Sequence, residues 1–242
     1  MTEQIFSEQL RKSFIDNGLG EPTEAEAKQF FLLLRELLEA NKITNLTAIT
    51  DPEEVIAKHF VDSLLENEHI PMGAVVLDLG CGAGFPSLPL AIHRPDLKII
   101  ALDSTAKKVA FVQKTAEKLQ LSNLKTLVGR AEDANIKKQI GRIDVVVSRA
   151  VARLNLLCEL SLPLLPVGGA LFALKGAKGQ EELAEAQKAI QILGGEPPLC
   201  VSRALILLNN TTEERALLWI PKIKETPKEY PRSFAMMQKK PL

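Results

Sequence analysis

The sequence has few cysteines and no long apolar run. Its 242 residues include three widely spaced cysteines, Cys81, Cys158 and Cys200, with no C-x-x-C pair. This spacing excludes a disulfide-stapled scaffold and a zinc-finger ligand set, and it suits a reducing compartment. No apolar run reaches the length of a membrane span, and the first residues lack the basic and apolar regions of a secretion signal. We therefore expect a cytoplasmic protein that binds neither a metal nor a membrane.

An excess of charge of either sign is also absent. Lys and Arg number 30, as do Asp and Glu, so the formal net charge is zero. A uniformly basic coat for nucleic acid is excluded, but local basic regions are not. Residues 105–130 hold six basic side chains against one acid, and residues 221–242 hold six against two. Both regions are candidates for contact with an anion, and the alternative is an ordinary solvated surface.

What is present is the composition of a globular protein, with 46% hydrophobic and 25% charged residues. Apolar spacing predicts a helical segment over 1–64, and after it short apolar runs alternate with amphipathic stretches. That alternation predicts an α/β fold with a parallel sheet over 65–225, followed by a basic extended tail at 226–242. The predicted strands lie at 74–79, 98–102, 124–128, 143–148 and 170–174, with a terminal hairpin formed by 199–208 and 216–223.

The sharpest motif is an apolar strand that runs into a glycine-rich turn. The strand over 75–79 is followed by Gly80, Gly82 and Gly84, which allow a tight turn and a close approach of a ligand to the backbone. Asp103 ends the next predicted strand 19 residues after Gly84, where a carboxylate can accept both ribose hydroxyls of a nucleoside. Together these features predict a nucleoside cofactor at the carboxyl end of the sheet.

The turn departs from the dinucleotide fingerprint, because Phe85 stands where the third glycine of that pattern belongs. The G-x-G-x-G form is similar instead to the first motif of class I methyltransferases, which bind S-adenosylmethionine. Three alternatives stay open at this point. They are an NAD-dependent oxidoreductase, a methyltransferase of a small metabolite, and a non-catalytic RNA-binding or assembly factor.

Further motifs resemble the ribosomal RNA small subunit methyltransferase G family, also called glucose-inhibited division protein B. They follow the family's order along the whole chain. They are Asn45-Leu46-Thr47, His59 to Leu64, Leu77 to Pro86, Asp103-Ser104, Lys107-Lys108, Gly129 to Glu132, Ser148 to Ala152, Lys175-Gly176 and Tyr230-Pro231-Arg232.

The resemblance implies a class I, Rossmann-like methyltransferase with a mostly parallel seven-stranded sheet and an N-terminal helical extension. It also implies methyl transfer from S-adenosylmethionine to N7 of a guanosine in 16S ribosomal RNA, free or in the small subunit, by a protein that we expect to be a monomer. Arg149 is the candidate catalytic residue, and Lys107, Lys108, Lys175 and Arg232 are candidate RNA contacts. With the glycine turn, the candidate cofactor contacts are Gly80, Gly82, Gly84, Phe85, Asp103, Ser104, Ala131, Glu132 and Arg149.

Several of these residues have a second interpretation. Arg149 follows an apolar strand and could bind the cofactor carboxylate, an RNA phosphate or a nearby acid. Asp78 could touch the cofactor or cap the amides of the glycine turn. His59 and Asp62 lie one helical turn apart and could bond each other or reach the cleft. Cys81 has no base partner and is expected to be a small filler.

The chain departs from the family's usual pattern at three places. Ala40 precedes Asn41 where many members have tryptophan, and Ser87 follows Phe85-Pro86 where glycine is usual. Residues 233–238 lack the usual small, glycine-containing tail. These differences lie outside the glycine turn, so they concern the tail and the RNA contacts more than the chemistry.

Overall fold

The structure is a computed structural model that describes residues 1–242. Its secondary structure follows the predicted alternation, which begins after two long N-terminal helices. The helices are α1 Glu3–Asp16, α2 Glu24–Thr44, α3 Pro52–Val55, α4 Ser87–His93, α5 Ala106–Lys118, α6 Ala134–Ile140, α7 Leu154–Ser161, α8 Gly179–Ile192 and α9 Phe234–Lys239. The strands are β1 Val75–Leu79, β2 Lys98–Asp103, β3 Leu124–Val128, β4 Val145–Arg149, β5 Ala170–Gly176, β6 Leu199–Ile206 and β7 Thr212–Pro221.

The seven strands form one sheet in the order β3-β2-β1-β4-β5-β7-β6. Strands β1 to β5 are parallel, whereas β7 runs antiparallel to β5 and β6 runs antiparallel to β7. The chain starts in the middle of the sheet, moves outward to β3 and returns to β4, so the strand order reverses between β1 and β4. Ligands bind at such a switch point, at the carboxyl ends of the strands. The predicted fold class and terminal hairpin are confirmed.

The helices begin where the sequence places capping residues. Thr23 accepts a hydrogen bond from the amide of Glu26, and the Glu26 carboxylate accepts one from the amide of Thr23, which makes a capping box for α2. Asp51 caps α3 by accepting from the amides of Glu53 and Glu54. Residues Ile56–Val61 continue α3 as a π-helix, a widening that is frequent at functional sites.

Both faces of the sheet are buried. Because side chains alternate along a strand, Val76 of β1 packs into one core cluster and Leu77 into the other. The first cluster contains the N-terminal helices together with α4 and α5, and the second contains α6, α7 and α8. Burial on both faces explains why the central strands β1, β2, β4 and β5 are largely apolar, whereas the edge strands β3 and β6 are mostly exposed or half-buried.

Aromatic rings connect the N-terminal helices to the glycine turn. Phe30 of α2 lies 5.1 Å from Phe60 between ring centroids, and Phe60 lies 6.1 Å from Phe85, which follows the turn. Phe6 and Phe14 extend the same buried group. The N-terminal segment is therefore part of the packing that positions the ligand face of the sheet.

The C-terminal residues differ from the extended tail that the sequence predicts. The short helix α9 covers Phe234–Lys239, and Met237 is fully buried in the second core cluster. Tyr230, Phe234 and Leu242 also pack against this cluster. Their spacing in the sequence has no helical or strand periodicity, so the sequence could not predict this packing. The division of the chain into segments 1–64, 65–225 and 226–242 stays a prediction. No helix is both long and apolar enough to cross a membrane.

Candidate functional site

The glycine turn connects β1 to α4 at the switch point of the sheet. The amides of Gly80 and Cys81 both donate to the carbonyl of Leu102 in β2, at 2.8 and 2.9 Å. A Cβ at Gly80 would lie 2.5 Å from Val151, and a Cβ at Gly84 would lie 2.4 Å from Leu88, so side chains are sterically excluded there. A Cβ at Gly82 would meet nothing closer than 3.9 Å, so this position is open to a ligand.

Asp103 holds the loop after β2 and the glycine turn together. One carboxylate oxygen accepts from the amide of Gly82 at 3.0 Å, and the other accepts from the amide of Thr105 at 2.8 Å. Each oxygen has a second acceptor site, so the carboxylate keeps capacity for hydroxyl donors. The sequence indicated a ribose contact for Asp103 but not this bond across to the glycine turn.

Asp78 has a different role from either of those considered from the sequence. It is fully buried in β1, and one carboxylate oxygen accepts from the amide of Ser87 at the start of α4, at 3.0 Å. Its other oxygen has no partner. Burial raises the pKa of Asp78 to about 7. The side chain therefore ties β1 to α4, and it caps no amide of the glycine turn.

A cavity of about 470 Å³ opens at the carboxyl ends of β1, β2 and β4. It brings together most of the residues that the sequence nominates for the cofactor. These are Gly80, Gly82, Phe85, Asp103, Ser104, Ala131, Glu132 and Arg149. Gly84 does not line the cavity and lies against Leu88. Lys108, nominated for RNA, also lines the cavity, whereas Lys107, Lys175 and Arg232 do not.

The four nominated RNA contacts fall into two groups. Lys107 is exposed and Lys108 half-buried, and neither takes part in a salt bridge. Lys175 is buried in a neighbouring cleft, 2.9 Å from Glu182. Arg232 binds both oxygens of the buried Glu159. In this conformation the charges of Lys175 and Arg232 are neutralised within the protein, so of the four nominated residues only Lys107 and Lys108 are free to meet phosphate.

Arg149 is the centre of a buried network at the end of β4. One guanidinium nitrogen donates to the Lys58 carbonyl at 2.7 Å and to Asp62 at 3.1 Å, and another donates to Nδ1 of His59 at 3.1 Å. Its side chain is 15% exposed, and burial lowers its pKa. Asp62 also binds Arg215 of β7 at 2.6 Å. His59 and Asp62 therefore meet through Arg149, and the mutual bond considered from the sequence does not form.

His59 forms one wall of the cavity. Its ring is stacked on Phe85, with 4.5 Å between centroids and 13° between planes. The Arg149 guanidinium lies 5.5 Å from the centroid of the same Phe85 ring. Burial and the charge of Arg149 lower the pKa of His59 to about 3, so the ring is neutral at physiological pH. Phe85, the residue at which the sequence departs from the dinucleotide fingerprint, thus contacts both His59 and Arg149 in this wall of the cavity.

Cys81 is the one cysteine that lines the cavity. Its thiol is buried, and burial raises its pKa far above the usual range. A buried thiol of this kind is not a nucleophile, in agreement with its interpretation as a filler.

Other lining residues were missed by sequence reasoning. Phe234 lines the cavity, as does Val151, which was quoted only as part of a motif. Thr47, quoted only as part of a motif, also lines it. Outside the cavity, Arg215 of β7 binds Asp62, which also holds Arg149. These residues arrive from distant parts of the chain, so no local pattern could have placed them there.

Comparisons with known proteins agree on a family. The sequence profile described as rRNA small subunit methyltransferase G matches residues 26–207. Proteins named ribosomal RNA small subunit methyltransferase G are similar along almost the whole chain. That of Lactobacillus johnsonii is 43% identical over 100% of both chains. That of Brevibacillus brevis is 42% identical over 100% of both chains. That of Lactobacillus acidophilus is also 42% identical, over 92% of this chain and 93% of the relative.

Solved structures agree with the fold. The TrmN structure from Thermus thermophilus superimposes with a TM-score of 0.51 at 19% identity, over 69% of this chain and 53% of that chain. Trm5b from Pyrococcus abyssi gives 0.50 at 13% identity, over 71% and 50%. The sequence profile covers most of the chain, and the relatives cover nearly all of it. The chain therefore belongs to the rRNA small subunit methyltransferase G family.

Proposed function

We propose that the protein transfers a methyl group from S-adenosylmethionine to N7 of a specific guanosine in the 16S RNA of the small ribosomal subunit. The observation that carries the proposal is the cavity over the glycine turn and Asp103, in a chain of this family. Since its relatives are bacterial proteins named for ribosomal RNA, the cytoplasm is the proposed place of action.

The residues around the cavity fit the cofactor. A volume of about 470 Å³ lies in the range of small-molecule sites, and the open side of Gly82 lets a ligand approach the backbone. Asp103 keeps an acceptor site on each oxygen for the ribose hydroxyls. Ala131 and Glu132, after β3, would flank the adenine beyond the ribose, and Ser104 would border it.

The chemistry requires little proton transfer. When bound, S-adenosylmethionine supplies a methyl group that its sulfonium already activates, and guanine N7 takes it through a free lone pair. No general base is required. In the wall formed by Phe85, His59 and Arg149 there is also no free base, because Arg149 cannot lose a proton at neutral pH and both ring nitrogens of His59 are hydrogen-bonded. The chain contributes position and the exclusion of water, through the wall of Phe85, His59 and Arg149.

The RNA would approach over the start of α5. Lys107 and Lys108 lie beside the cavity that the target base must enter, and Arg130, also exposed, lines its edge. An internal guanine has to be unstacked to reach a closed pocket. Phosphate contacts of this kind make RNA binding fall with rising salt concentration.

The test is transfer of labelled methyl from S-adenosylmethionine to small ribosomal subunits and to naked 16S RNA. Label in either RNA, and none when Asp103→Ala replaces the wild type at limiting cofactor, supports the proposal. Label in a small molecule of a cell extract, with none in RNA, contradicts it and favours a metabolite methyltransferase. Binding of RNA and cofactor with no transfer to either RNA form favours an assembly factor.

A further inference from the structure

Thr47 is held rigidly in the connection between α2 and α3. The side chain of Asn41, in the last turn of α2, accepts from the amide of Thr47 and donates to its carbonyl, both at 2.9 Å. The hydroxyl of Thr47 also accepts from the amide of Ile49 at 3.0 Å. The backbone and side chain of this half-buried residue are therefore fixed before any ligand binds.

The Arg149 network decides which ring nitrogen of His59 carries the proton. A guanidinium only donates, so Nδ1 of His59, 3.1 Å from Arg149, must be the acceptor. The neutral ring then has its proton on Nε2, which lies 2.8 Å from the hydroxyl oxygen of Thr47. Nε2 accordingly donates to Thr47, and Asp62 stabilises this arrangement by holding Arg149.

This assignment leaves the hydroxyl hydrogen of Thr47 free to bind a ligand. A hydroxyl oxygen accepts two hydrogen bonds and donates one. Both acceptor sites are filled, by His59 and by the amide of Ile49. The hydrogen has no acceptor in the protein, and Thr47 lines the cavity. The cavity wall therefore presents a neutral donor whose direction is set by its neighbours.

The Thr47 hydroxyl lies on the side of the cavity where the base that accepts the methyl group would bind, which we call the acceptor end. His59, which fixes it, stacks on Phe85 after β1 and binds Arg149 at the end of β4. The nucleoside part of the cofactor belongs over Asp103, the last residue of β2, and Glu132, which follows β3; both strands lie on the other side of β1. The substrate base must come from the remaining side, where Thr47 lies.

The inference rests on the proposed function and names a contact that selects the base. We propose that the Thr47 hydroxyl donates a hydrogen bond to O6 of the target guanine, next to the N7 that accepts the methyl group. Guanine carries O6 and N7 as neighbouring acceptors on one edge, whereas adenine carries an amino donor in place of O6. A donor fixed by its surroundings rejects adenine. Asp62, Arg149 and His59 are positioning residues that set the direction of this donor.

The test is a double-mutant cycle that combines a substitution of Thr47 in the protein with a substitution of the target base in the RNA. Small subunits are assembled with RNA that carries either guanine or 2-aminopurine at the methylated position, since 2-aminopurine keeps N7 and lacks O6. Wild type, Thr47→Val and Thr47→Ser are compared by kcat/KM for methyl transfer and by the Kd of S-adenosylmethionine. The intrinsic difference in N7 reactivity between the two bases is common to all three proteins and cancels in the cycle.

We expect Thr47→Val to lower kcat/KM on guanine about tenfold, the value of one neutral hydrogen bond. On 2-aminopurine the same variant should match the wild type within about twofold. Thr47→Ser, which keeps the donor, should behave as the wild type on both bases. The Kd of the cofactor should stay within about twofold in every variant, which also shows that the variants are folded.

Other results overturn the inference. Equal losses for Thr47→Val on both bases would mean that the hydroxyl does not contact O6. A selective rise in the Kd of the cofactor would assign the hydroxyl to the cofactor instead. If the wild type methylates no guanine-containing RNA, the proposed function fails and the inference fails with it, a result that is separate from either of the first two.

Discussion

The two ends of the cavity are built in different ways. The cofactor end uses residues close together in sequence, from Gly80 to Glu132, and relies on backbone amides, a carboxylate and the absence of side chains in a turn. The acceptor end joins Thr47, Asp62, Arg149 and Arg215 through bonds between side chains that lie up to 153 positions apart. The cofactor end is thus formed by motifs within one stretch of sequence, whereas the acceptor end is formed by tertiary contacts between distant segments.

This difference predicts where the molecule is sensitive. Substitutions at the cofactor end should lower cofactor affinity with little loss of stability, because few charges are buried there. Substitutions in the network around Arg149 should affect stability first, since they leave a buried charge without its partner. The predictions that follow test this contrast, from the largest expected effect to the smallest.

The largest effect is expected for Asp62→Ala. It leaves Arg149 and Arg215, both at most 15% exposed, without their shared carboxylate. Breaking a buried pair of this kind lowers the free energy of unfolding by about 3–5 kcal/mol, measured by urea denaturation. The control is Arg153→Ala, which removes a pair with Glu185 whose side chains are 67% and 51% exposed and should change stability by less than about 1 kcal/mol. Equal effects would remove the contrast between buried and exposed pairs.

Asp103→Ala should weaken cofactor binding strongly. It removes the bond that fixes the Gly82 amide and the acceptor that we propose for two ribose hydroxyls, so we expect the Kd of S-adenosylmethionine to rise about 100-fold, from two hydrogen bonds to a charged group. Calorimetric titration measures this change. Asp51→Ala is the matched control, because Asp51 also accepts two backbone amides but lies outside the cavity. Asp51→Ala should lower stability and leave the Kd unchanged, and a similar rise in both variants would contradict the assignment.

Asp78→Asn should change how stability depends on pH. The pKa of Asp78 is raised to about 7 in the folded protein, above the ordinary value of the unfolded chain, so the native state binds more protons between about pH 4 and 7. This group therefore lowers stability as pH rises through that window. The amide variant carries no such penalty and should gain roughly 2 kcal/mol over wild type between pH 5 and pH 8, measured by urea unfolding.

The pH comparison is made between variant and wild type because His59 acts in the opposite direction. Its pKa is lowered to about 3 in the folded protein, so the unfolded chain binds more protons below about pH 6.5 and stability falls on acidification there. The His59 contribution is common to both proteins and cancels in the difference. A difference between them that does not change from pH 5 to pH 8 would contradict a raised pKa for Asp78.

The smallest effect is expected for the two lysines beside the cavity. Lys107→Ala with Lys108→Ala should weaken RNA binding and reduce the slope of log K against log salt by about 1.5, for two phosphates at about 0.7–0.9 each. Lys114→Ala is the control, since Lys114 is an exposed lysine of the same helix that does not line the cavity. Binding assays across salt concentrations measure the slopes. An equal change per lysine in the control would mean that the whole helix surface attracts RNA.

The sequence was sufficient for the sheet and for the cofactor end of the cavity. The alternation of apolar runs predicts the strands β1 to β5, and the glycine turn with Asp103 predicts a cavity at their carboxyl ends. Burial on both faces gives β1, β2, β4 and β5 their apolar sequences, whereas β3 has no buried residue. The resemblance to a family adds Ala131, Glu132 and Arg149, which the structure brings to the same cavity.

The acceptor end could not be predicted in the same way. His59 and Asp62 are spaced to bond each other, but Arg149, about 90 positions away, binds both. Lys175 was expected at the ligand face, but it lies near the end of β5 in a neighbouring cleft, where Glu182 neutralises it. Which charged partner reaches a side chain depends on packing between distant segments, and the spacing of residues along the chain carries no information about it.

The most direct measurement of the central claim is the chemical position of the transferred methyl group. Small subunits are labelled with S-adenosylmethionine, and the RNA is reduced and cleaved under conditions that break the strand only at N7-methylguanosine. The account predicts cleavage at one site, with all of the label leaving the RNA in the excised base, and no cleavage when Asp103→Ala replaces the wild type at limiting cofactor. Label that stays in uncleaved RNA, on another atom or on another base, would contradict it.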